Sequence, residues 1–543
     1  MTLVCVPILV HDVDAALADA SAARSAGADL VEFRIDEFFS GQDPLTEAQV
    51  LRLPAETPLP CIVTCRASAE GGGYDGPDAE RVALYERLGN AFGAGESPPR
   101  YLDLELASWE RAANLRQKIR LAIDHPEQQR DLKTSLILSL HDFQGRPADL
   151  HRRVSRLASE TDASVVKVAY RARSLRDTLE LLDLPALLRR PTIALGMGDF
   201  GLLTRVLAPK FGAFLTFASL RPAAATAPGQ PTIRDLLGLY RFRSINPATA
   251  LYGVIGWPVG HSRSPLLHNA GFDRARLDAV YLPLPIAAAD DPEASYLSFK
   301  ATVLELIGHA GLNFRGASVT LPHKESLARL AREQGWALDE ASASLGAANT
   351  LRVDRPPSGE PGSIRVCNTD APALREELSQ LAGPLHGRTV VVVGAGGVAR
   401  AAVWAAHRLG ARIVIVNRTE AHARTLAAAM GGDIRVLPAP PWGERPAAVI
   451  NATPIGMAGG PAPASLPFTL PAEFEGLPPA ILDTIYNPAA TPLVSQAAGR
   501  GWPAIGGLGM FIRQARAQFR FWTGAEPPPG LFESVLASSD AEP

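Results

Sequence analysis

Residues 388–419, RTVVVVGAGGVARAAVWAAHRLGARIVIVNRT, read as a strand, a glycine turn, a helix and a second strand. Four consecutive valines are what a strand buried on both faces of a parallel sheet requires. The alanine-rich run behind the glycines has helix-forming composition. In this context the turn residues Gly394, Ala395, Gly396, Gly397 and Val398 have separable tasks. Gly394 permits a tight turn, Gly396 lets the backbone approach a pyrophosphate, and Ala399 allows close packing of helix on strand. The phosphates then meet free amides at the helix N-terminus. The second strand ends in Asn417–Arg418–Thr419, where an NAD site places an acid. Arg418 can pair with a 2′-phosphate, flanked by two hydrogen-bonding side chains, so the reading favours NADP. A solvent-exposed arginine, or an NAD-dependent dehydrogenase on a similar scaffold, is the alternative.

The 543 residues exceed one hydrophobic core. Upstream, β-rich runs stand at 3–9, 29–35, 61–66, 101–106, 135–140, 164–170, 192–197 and 213–219. Their spacing is that of a strand–helix repeat, which predicts a (β/α)8 barrel; the pattern alone leaves a doubly wound open sheet possible. A loop is expected over 221–232, a short helix over 233–242 and a linker at 246–250. Pro-rich surface loops are expected at 355–361 and 437–446, and a frayed tail after Gly530. The charge is balanced, at −3, and gives no reason to expect nucleic acid or an anionic membrane as partner. The start, MTLVCVPILVHD, reads as a buried strand rather than a signal, and four cysteines lack paired metal spacing. A cytoplasmic enzyme with reduced thiols and no metal is the expectation.

Ionisable residues interrupt several of the first strands. Glu32 and Arg34 alternate with apolar neighbours and share one side of their strand. Arg66 ends a strand, Glu70 follows, His141 ends another, and Lys167 sits inside VVKVA. Strand C-termini in a barrel converge on one cavity. Burial and nearby arginines would disfavour the lysine's charge and leave an amine able to form an imine with a ketone. A histidine beside it can move the adjacent proton. Taken singly, Lys167 reads equally as a structural ion-pair partner and His141 as a satisfied strand-end residue.

Together E-x-R (32–34), T-x-R-x-x-x-E-G-G (64–72), S-x-H-D-F (139–143), V-V-K-V-A (165–169), T-R (204–205) and A-T-A-P-G-Q (225–230) resemble type I 3-dehydroquinate dehydratases over residues 1–240. The resemblance implies a lyase barrel with Lys167 as the Schiff-base lysine and His141 as general acid/base, oriented by Glu70. It also implies that Glu32, Arg34, Arg66, Arg205, Thr226 and Gln230 bind substrate. Thr226 departs from the serine frequent in that family.

Ahead of the glycine turn stand VIGWPVGHSRSPLLHNA (254–270), SVTLPHKE (318–325), GAANT (346–350) and CNTD (367–370). A Lys324–Asp370 pair would keep an ammonium charged and aimed at an alkoxide, although each alone reads as an ordinary surface charge. With NATPIGM (451–457), DTIYNPAATPL (483–493) and GMFIRQA (509–515), these motifs resemble shikimate dehydrogenases over 250–525. The resemblance implies Lys324 and Asp370 as the catalytic pair. Ser262, Ser264, Thr320, Asn349, Thr369, Tyr486 and Gln514 would contact substrate. Ala452, Thr453, Gly507 and Met510 would join the glycine turn and Asn417–Thr419 around NADP. Ser318 replaces a frequent asparagine, and Ala371–Pro372 stand near a usual glycine.

Two such families in this order resemble the fused arrangement known from plants, with an oxidoreductase consuming the lyase's product in the shikimate pathway of aromatic amino acid biosynthesis. Small-molecule substrates are the expected partners. Three domains are expected: the barrel (1–244), a substrate-binding domain (250–372, completed by a C-terminal helix at 505–530) and an NADP domain (373–504). A quinate-oxidising fusion and a ligand-sensing regulator built on inactivated enzyme folds are the alternatives; the latter would have lost Lys167, His141, Lys324 or Asp370.

Overall fold

The computed structural model describes residues 1–39, 44–91, 95–124, 133–356 and 359–540. It forms two compact units, one of residues 1–250, 258–261 and 278–286, the other of 251–257, 262–277 and 287–543.

In the first unit eight strands alternate with helices: β1 Leu3–Leu9, β2 Leu30–Arg34, β3 Cys61–Thr64, β4 Tyr101–Glu105, β5 Ser135–Asp142, β6 Ala163–Arg171, β7 Thr192–Met197 and β8 Leu215–Phe217. All are parallel, in the order β7-β6-β5-β4-β3-β2-β1-β8. The Phe214 amide donates to the Thr192 carbonyl at 2.8 Å, nearly closing the ring between β7 and β8. The expected barrel is therefore present, and the open-sheet alternative is not.

Alternation along the strands builds its interior in layers. Leu30, Ile62, Tyr101, Ile137 and Val165 belong to a buried apolar floor. Two residues further along the same strands stand Glu32, Thr64, Asp103, Ser139 and Lys167, all at most 5% exposed. A polar ring thus rests on an apolar floor, towards the strands' C-terminal ends. Residues 235–239, inside the expected short helix, form a π-helical turn.

The chain continues with β9 Ala250–Gly256, β10 Ala279–Pro285 (counted with the first unit), β11 Phe314–Val319, β12 Ala337–Leu338, β13 Thr350–Val353 and β14 Ile364–Cys367. In the second unit β9, β11, β13, β14 and β12 lie in that order, with β13 antiparallel to both neighbours. A second sheet follows: β15 Thr389–Val393, β16 Arg412–Val416, β17 Ile434–Leu437, β18 Ala448–Asn451, β19 Ala480–Asp483 and β20 Ala504–Ile505. It is wholly parallel in the order β17-β16-β15-β18-β19-β20. That is the doubly wound order of dinucleotide-binding sheets, whose switch point lies between β15 and β18. The valines of β15 explain it locally: Val390 and Val392 pack in one core, Val391 and Val393 in another.

The helix at Leu508–Thr523 returns from the second sheet to the first, and Trp522 Nε1 donates to the Leu351 carbonyl at 2.9 Å. The expected frayed tail after Gly530 is not what residues 531–540 show; 541–543 lie outside the described residues. Residues Leu531–Asp540 form a helix with Phe532 and Leu536 at most 1% exposed. Phe532 meets Phe519 and His268 edge-on, with centroids 6.3 and 6.0 Å away. A pair of large apolar residues four apart gives this short segment a face to bury.

Candidate functional site

Lys167 projects from the middle of β6 and is 5% exposed. Its Nζ lies 2.9 Å from Asp103 Oδ2, 3.3 Å from Glu32 Oε1 and 4.8 Å from the Phe217 ring centroid. Arg66 reaches Asp103 Oδ1 at 2.7 Å, Ser139 Oγ at 2.8 Å and Glu105 Oε1 at 3.1 Å. The nine barrel residues singled out in the sequence, Glu32, Arg34, Arg66, Glu70, His141, Lys167, Arg205, Thr226 and Gln230, all line one cavity. Glu70 Oε2 is 3.0 Å from His141 Nδ1 and accepts from the His141 amide at 2.9 Å. Burial, then the neighbouring Arg66 and Lys167, holds His141 well below its ordinary range, so its imidazole is neutral. Burial also raises Glu70 to about 7. Arg205, 2% exposed, has a buried Nε without a hydrogen-bond partner, and burial alone lowers it to about 10. Gln230 Nε2 is likewise without a partner, while its Oε1 accepts from the Thr226 amide at 3.1 Å. Among the described residues the cavity therefore offers the Lys167 nitrogen, a neutral imidazole and a guanidinium with no counter-ion.

In the second unit Lys324 and Asp370 each open a helix, Lys324–Glu333 and Asp370–Ala382, and their side chains meet at 2.7 Å. Asn349 Oδ1 accepts from the Thr369 amide at 2.8 Å, and its Nδ2 donates to Thr369 Oγ1 at 3.0 Å. Ser262 Oγ accepts from the Ser264 amide at 3.3 Å where the Ser264–Arg274 helix begins. The Thr320 amide donates to the Ile255 carbonyl at 2.8 Å. The Tyr486 ring stacks on Phe511 at 4.4 Å, whereas Gln514 donates its amide N–H to the Phe511 carbonyl of its own helix at 3.1 Å. Gly394 has φ +120°, and a Cβ there would lie 2.8 Å from the Ala452 carbonyl oxygen and 3.3 Å from a Thr453 methyl. Gly396 faces open space and precedes the Gly397–Arg408 helix, which has no side-chain cap. A Cβ on Gly397 would stand 3.5 Å from Lys324 Cδ, so the glycine turn and the lysine are neighbours. Ala395 and Val398 pack on the core at this turn, with Met510 buried in it, and Gly507 sits at the cap of the Leu508–Thr523 helix. Asn417 Nδ2 donates to the Thr419 carbonyl at 2.8 Å, with Arg418 exposed between them.

A model of type I 3-dehydroquinase matches residues 4–247. Models of the shikimate dehydrogenase substrate binding domain, of shikimate/quinate 5-dehydrogenase and of the shikimate 5′-dehydrogenase C-terminal domain match 254–351, 376–441 and 507–536. The chain is 33% identical over 550 aligned residues to the chloroplastic bifunctional 3-dehydroquinate dehydratase/shikimate dehydrogenase of Arabidopsis thaliana, covering 99% of this chain and 84% of that one. The chain belongs to the bifunctional 3-dehydroquinate dehydratase/shikimate dehydrogenase family. It is also similar to the shikimate dehydrogenase (NADP(+)) of Citrifermentans bemidjiense, with 37% identity over 54% of this chain and 97% of that one. Among solved structures, the dehydroquinate dehydratase and shikimate dehydrogenase from S. pombe AroM is similar over 98% of both chains, at 24% identity and a TM-score of 0.40.

Within this dehydratase–dehydrogenase the sequence reading missed five buried or half-buried partners. Asp103, Glu105 and Ser139 complete the ring around Lys167 and Arg66. Asp36 takes Arg34 Nε and a terminal nitrogen, both at 2.9 Å, and accepts from the Gly73 amide, tying the Glu70 loop down. Gln518, one turn beyond Gln514, lies 2.9 Å from Ser318 Oγ and donates to Thr350 Oγ1 at 3.2 Å. The Ser318 position is therefore hydrogen-bonded despite its shorter side chain. The sequence offered a signal for two of these, because Asp103 and Glu105 alternate in YLDLEL as Glu32 and Arg34 do in VEFR. Lys167 also stands between two carboxylates, Glu32 and Asp103. The Ala371–Pro372 departure falls in a first helical turn, where proline forfeits no internal bond, and the Ala371 amide is taken by Asn368 Oδ1 at 3.0 Å.

Proposed function

We propose that the first unit dehydrates 3-dehydroquinate to 3-dehydroshikimate and that the second reduces this product to shikimate with NADPH. Lys167 Nζ attacks the ketone, and loss of water leaves an iminium that acidifies the adjacent carbon. The neutral His141 imidazole takes that proton, with Glu70 fixing its Nδ1–H, and returns it to the departing hydroxyl. Arg205, buried without a counter-ion, grips the substrate carboxylate, and Arg34, Arg66, Glu32, Thr226 and Gln230 hold its remaining oxygens. Water then frees Lys167. The observation that carries this reading is one cavity holding Lys167, a neutral His141 and the uncompensated Arg205.

In the second unit the residues fit NADP. The uncapped helix N-terminus behind Gly396, with open space before it, suits a pyrophosphate, and the exposed Arg418 suits a 2′-phosphate. Gly394, Ala452 and Thr453 close the turn at the switch point, and Gly507 and Met510 belong to the same site. Bound NADPH supplies the hydride. Lys324, aimed by Asp370, protonates the developing alkoxide, and Ser262, Ser264, Thr320, Asn349, Thr369, Tyr486 and Gln514 orient the ring. We assign 250–372 with the 505–530 segment, which holds the Leu508–Thr523 helix, to substrate binding and 373–504 to the cofactor. The reading includes a cytoplasmic enzyme: among the described residues no helix is long and apolar enough to cross a membrane, and the four cysteines are free thiols.

A coupled assay tests the pair of activities: 3-dehydroquinate with NADPH, following cofactor absorbance. Lys167→Ala should stop NADPH consumption from 3-dehydroquinate and leave consumption from 3-dehydroshikimate intact. Undiminished consumption from 3-dehydroquinate in that variant overturns the reading.

A further inference from the structure

Lys167 Nζ stands between two buried carboxylates that are held very differently. Glu32 Oε1 is 3.3 Å away and is otherwise bonded by the Thr64 hydroxyl at 2.8 Å. Asp103 is closer, at 2.9 Å, and its other oxygen is gripped by Arg66 at 2.7 Å and Ser139 Oγ at 2.6 Å. Behind it the charges alternate outward. Arg66 meets Glu105 at 3.1 Å, Glu105 meets Arg81 at 2.7 Å, Arg81 meets Asp78 at 2.6 Å, and Asp78 meets the exposed Arg111 at 2.6 Å. From Lys167 to Asp78 every member is at most 8% exposed.

We propose that Asp103 is a positioning residue for the Schiff-base step: its carboxylate is the fixed counter-charge of the cation on Lys167 Nζ before and after the covalent bond forms, and the buried line of alternating charges behind it keeps it in place. This rests on the dehydratase reading above. The chemistry calls for such a group. When an ammonium condenses with a ketone, a C–N bond forms and the carbonyl C–O bond breaks. The oxygen leaves as water with two of the nitrogen's protons, and the third stays on the iminium. Nitrogen is neutral only while it attacks; the resting ammonium and the iminium each carry one positive charge on it, so one unmoving anion serves both states. Asp103 is suited because its second oxygen is occupied, whereas Glu32 is freer to turn towards substrate. The other groups around Nζ are Arg66 from the end of β3, His141 of β5 and Cys5 of β1, with the Phe217 face from β8; none of them is an anion at rest.

The test is the pH dependence of dehydratase turnover in the full-length chain. With Asp103→Asn the iminium loses its partner and gives up its proton more readily. The alkaline limb of kcat should move acidward by about one pH unit or more, with KM changing less than kcat. Asp103→Glu, which keeps the charge, should return the limb towards the wild-type position. A limb that stays put in Asp103→Asn overturns the proposal, whatever happens to kcat. Should Asp103→Asn not fold, nitrogen NMR of the wild-type imine decides: the imine should stay protonated across the active pH range, and its deprotonation within that range overturns the proposal. A wild type unable to dehydrate 3-dehydroquinate fails the dehydratase reading itself, a separate result from an unmoved limb in an active enzyme.

Discussion

Arg205 should weaken the protein it serves. It lies in the Leu202–Val206 helix, 2% exposed, and among the described residues nothing charged offsets its burial, which pulls the guanidinium down from its ordinary range to about 10. At about 1.4 kcal/mol per pH unit, a charged Arg205 destabilises the folded barrel by about 3 kcal/mol. The sign follows from the lowered value. The unfolded chain holds this proton more tightly, so the penalty is full below about pH 10 and fades as pH rises beyond it. Arg205→Met replaces the charge with an apolar chain of similar reach. It should stabilise the first unit by about 1–3 kcal/mol, read as a higher urea midpoint at unchanged slope. The same change removes the carboxylate's partner, a buried charge-assisted contact of about 2–5 kcal/mol, so the dehydratase KM should rise by about 30-fold or more. A variant that is less stable than wild type, or one that keeps its KM, would refute the reasoning, because Arg205 would then be a structural residue.

Asp370→Asn leaves Lys324 without its anion and should slow the reduction of 3-dehydroshikimate at saturating substrate by about 100-fold, while dehydration in the same chain proceeds at the wild-type rate. Glu70, raised to about 7 by burial, keeps its proton in the folded state to higher pH than in the unfolded one, so its contribution to stability is lost as pH rises from the ordinary carboxylate range through about 7. Ionised Glu70 accepts the His141 Nδ1–H more strongly than its acid form does, so dehydratase turnover should climb through about pH 7. Glu70→Gln should flatten both dependences, as seen in pH-rate profiles and in urea midpoints taken at several pH values.

The barrel was legible because parallel strands buried on both faces read as apolar runs, and a charge inside such a run stands out. Lys167 and His141 were found that way. Asp103 and Glu105 carry the same mark, but a single strand does not show what they meet: the register puts Glu105, not Asp103, opposite Ser139, and Asp103 reaches Ser139 and Lys167 through its side chain. The lysine's electrostatics could not be read from one strand, since its two carboxylates arrive from β2 and β4. Strand ends such as 213–219, which shrinks to Leu215–Phe217, depend on pairing rather than composition. The C-terminal helix was missed because polar residues dilute FESVLASSD, and its burial requires partners such as Phe519 that are remote in the fold until the preceding helix returns. In the second unit the glycine turn and Asn417–Thr419 were plain, as local motifs are. Gln518 was not, because its value lies in a hydrogen bond to Ser318 some 200 residues away.

Borohydride reduction in the presence of 3-dehydroquinate, followed by peptide mass analysis, tests the covalent chemistry of the first unit most directly. The account predicts an irreversible adduct on Lys167, absent without substrate and absent in Lys167→Ala. Full dehydratase activity with no adduct at Lys167, or an adduct on a different lysine, would contradict it.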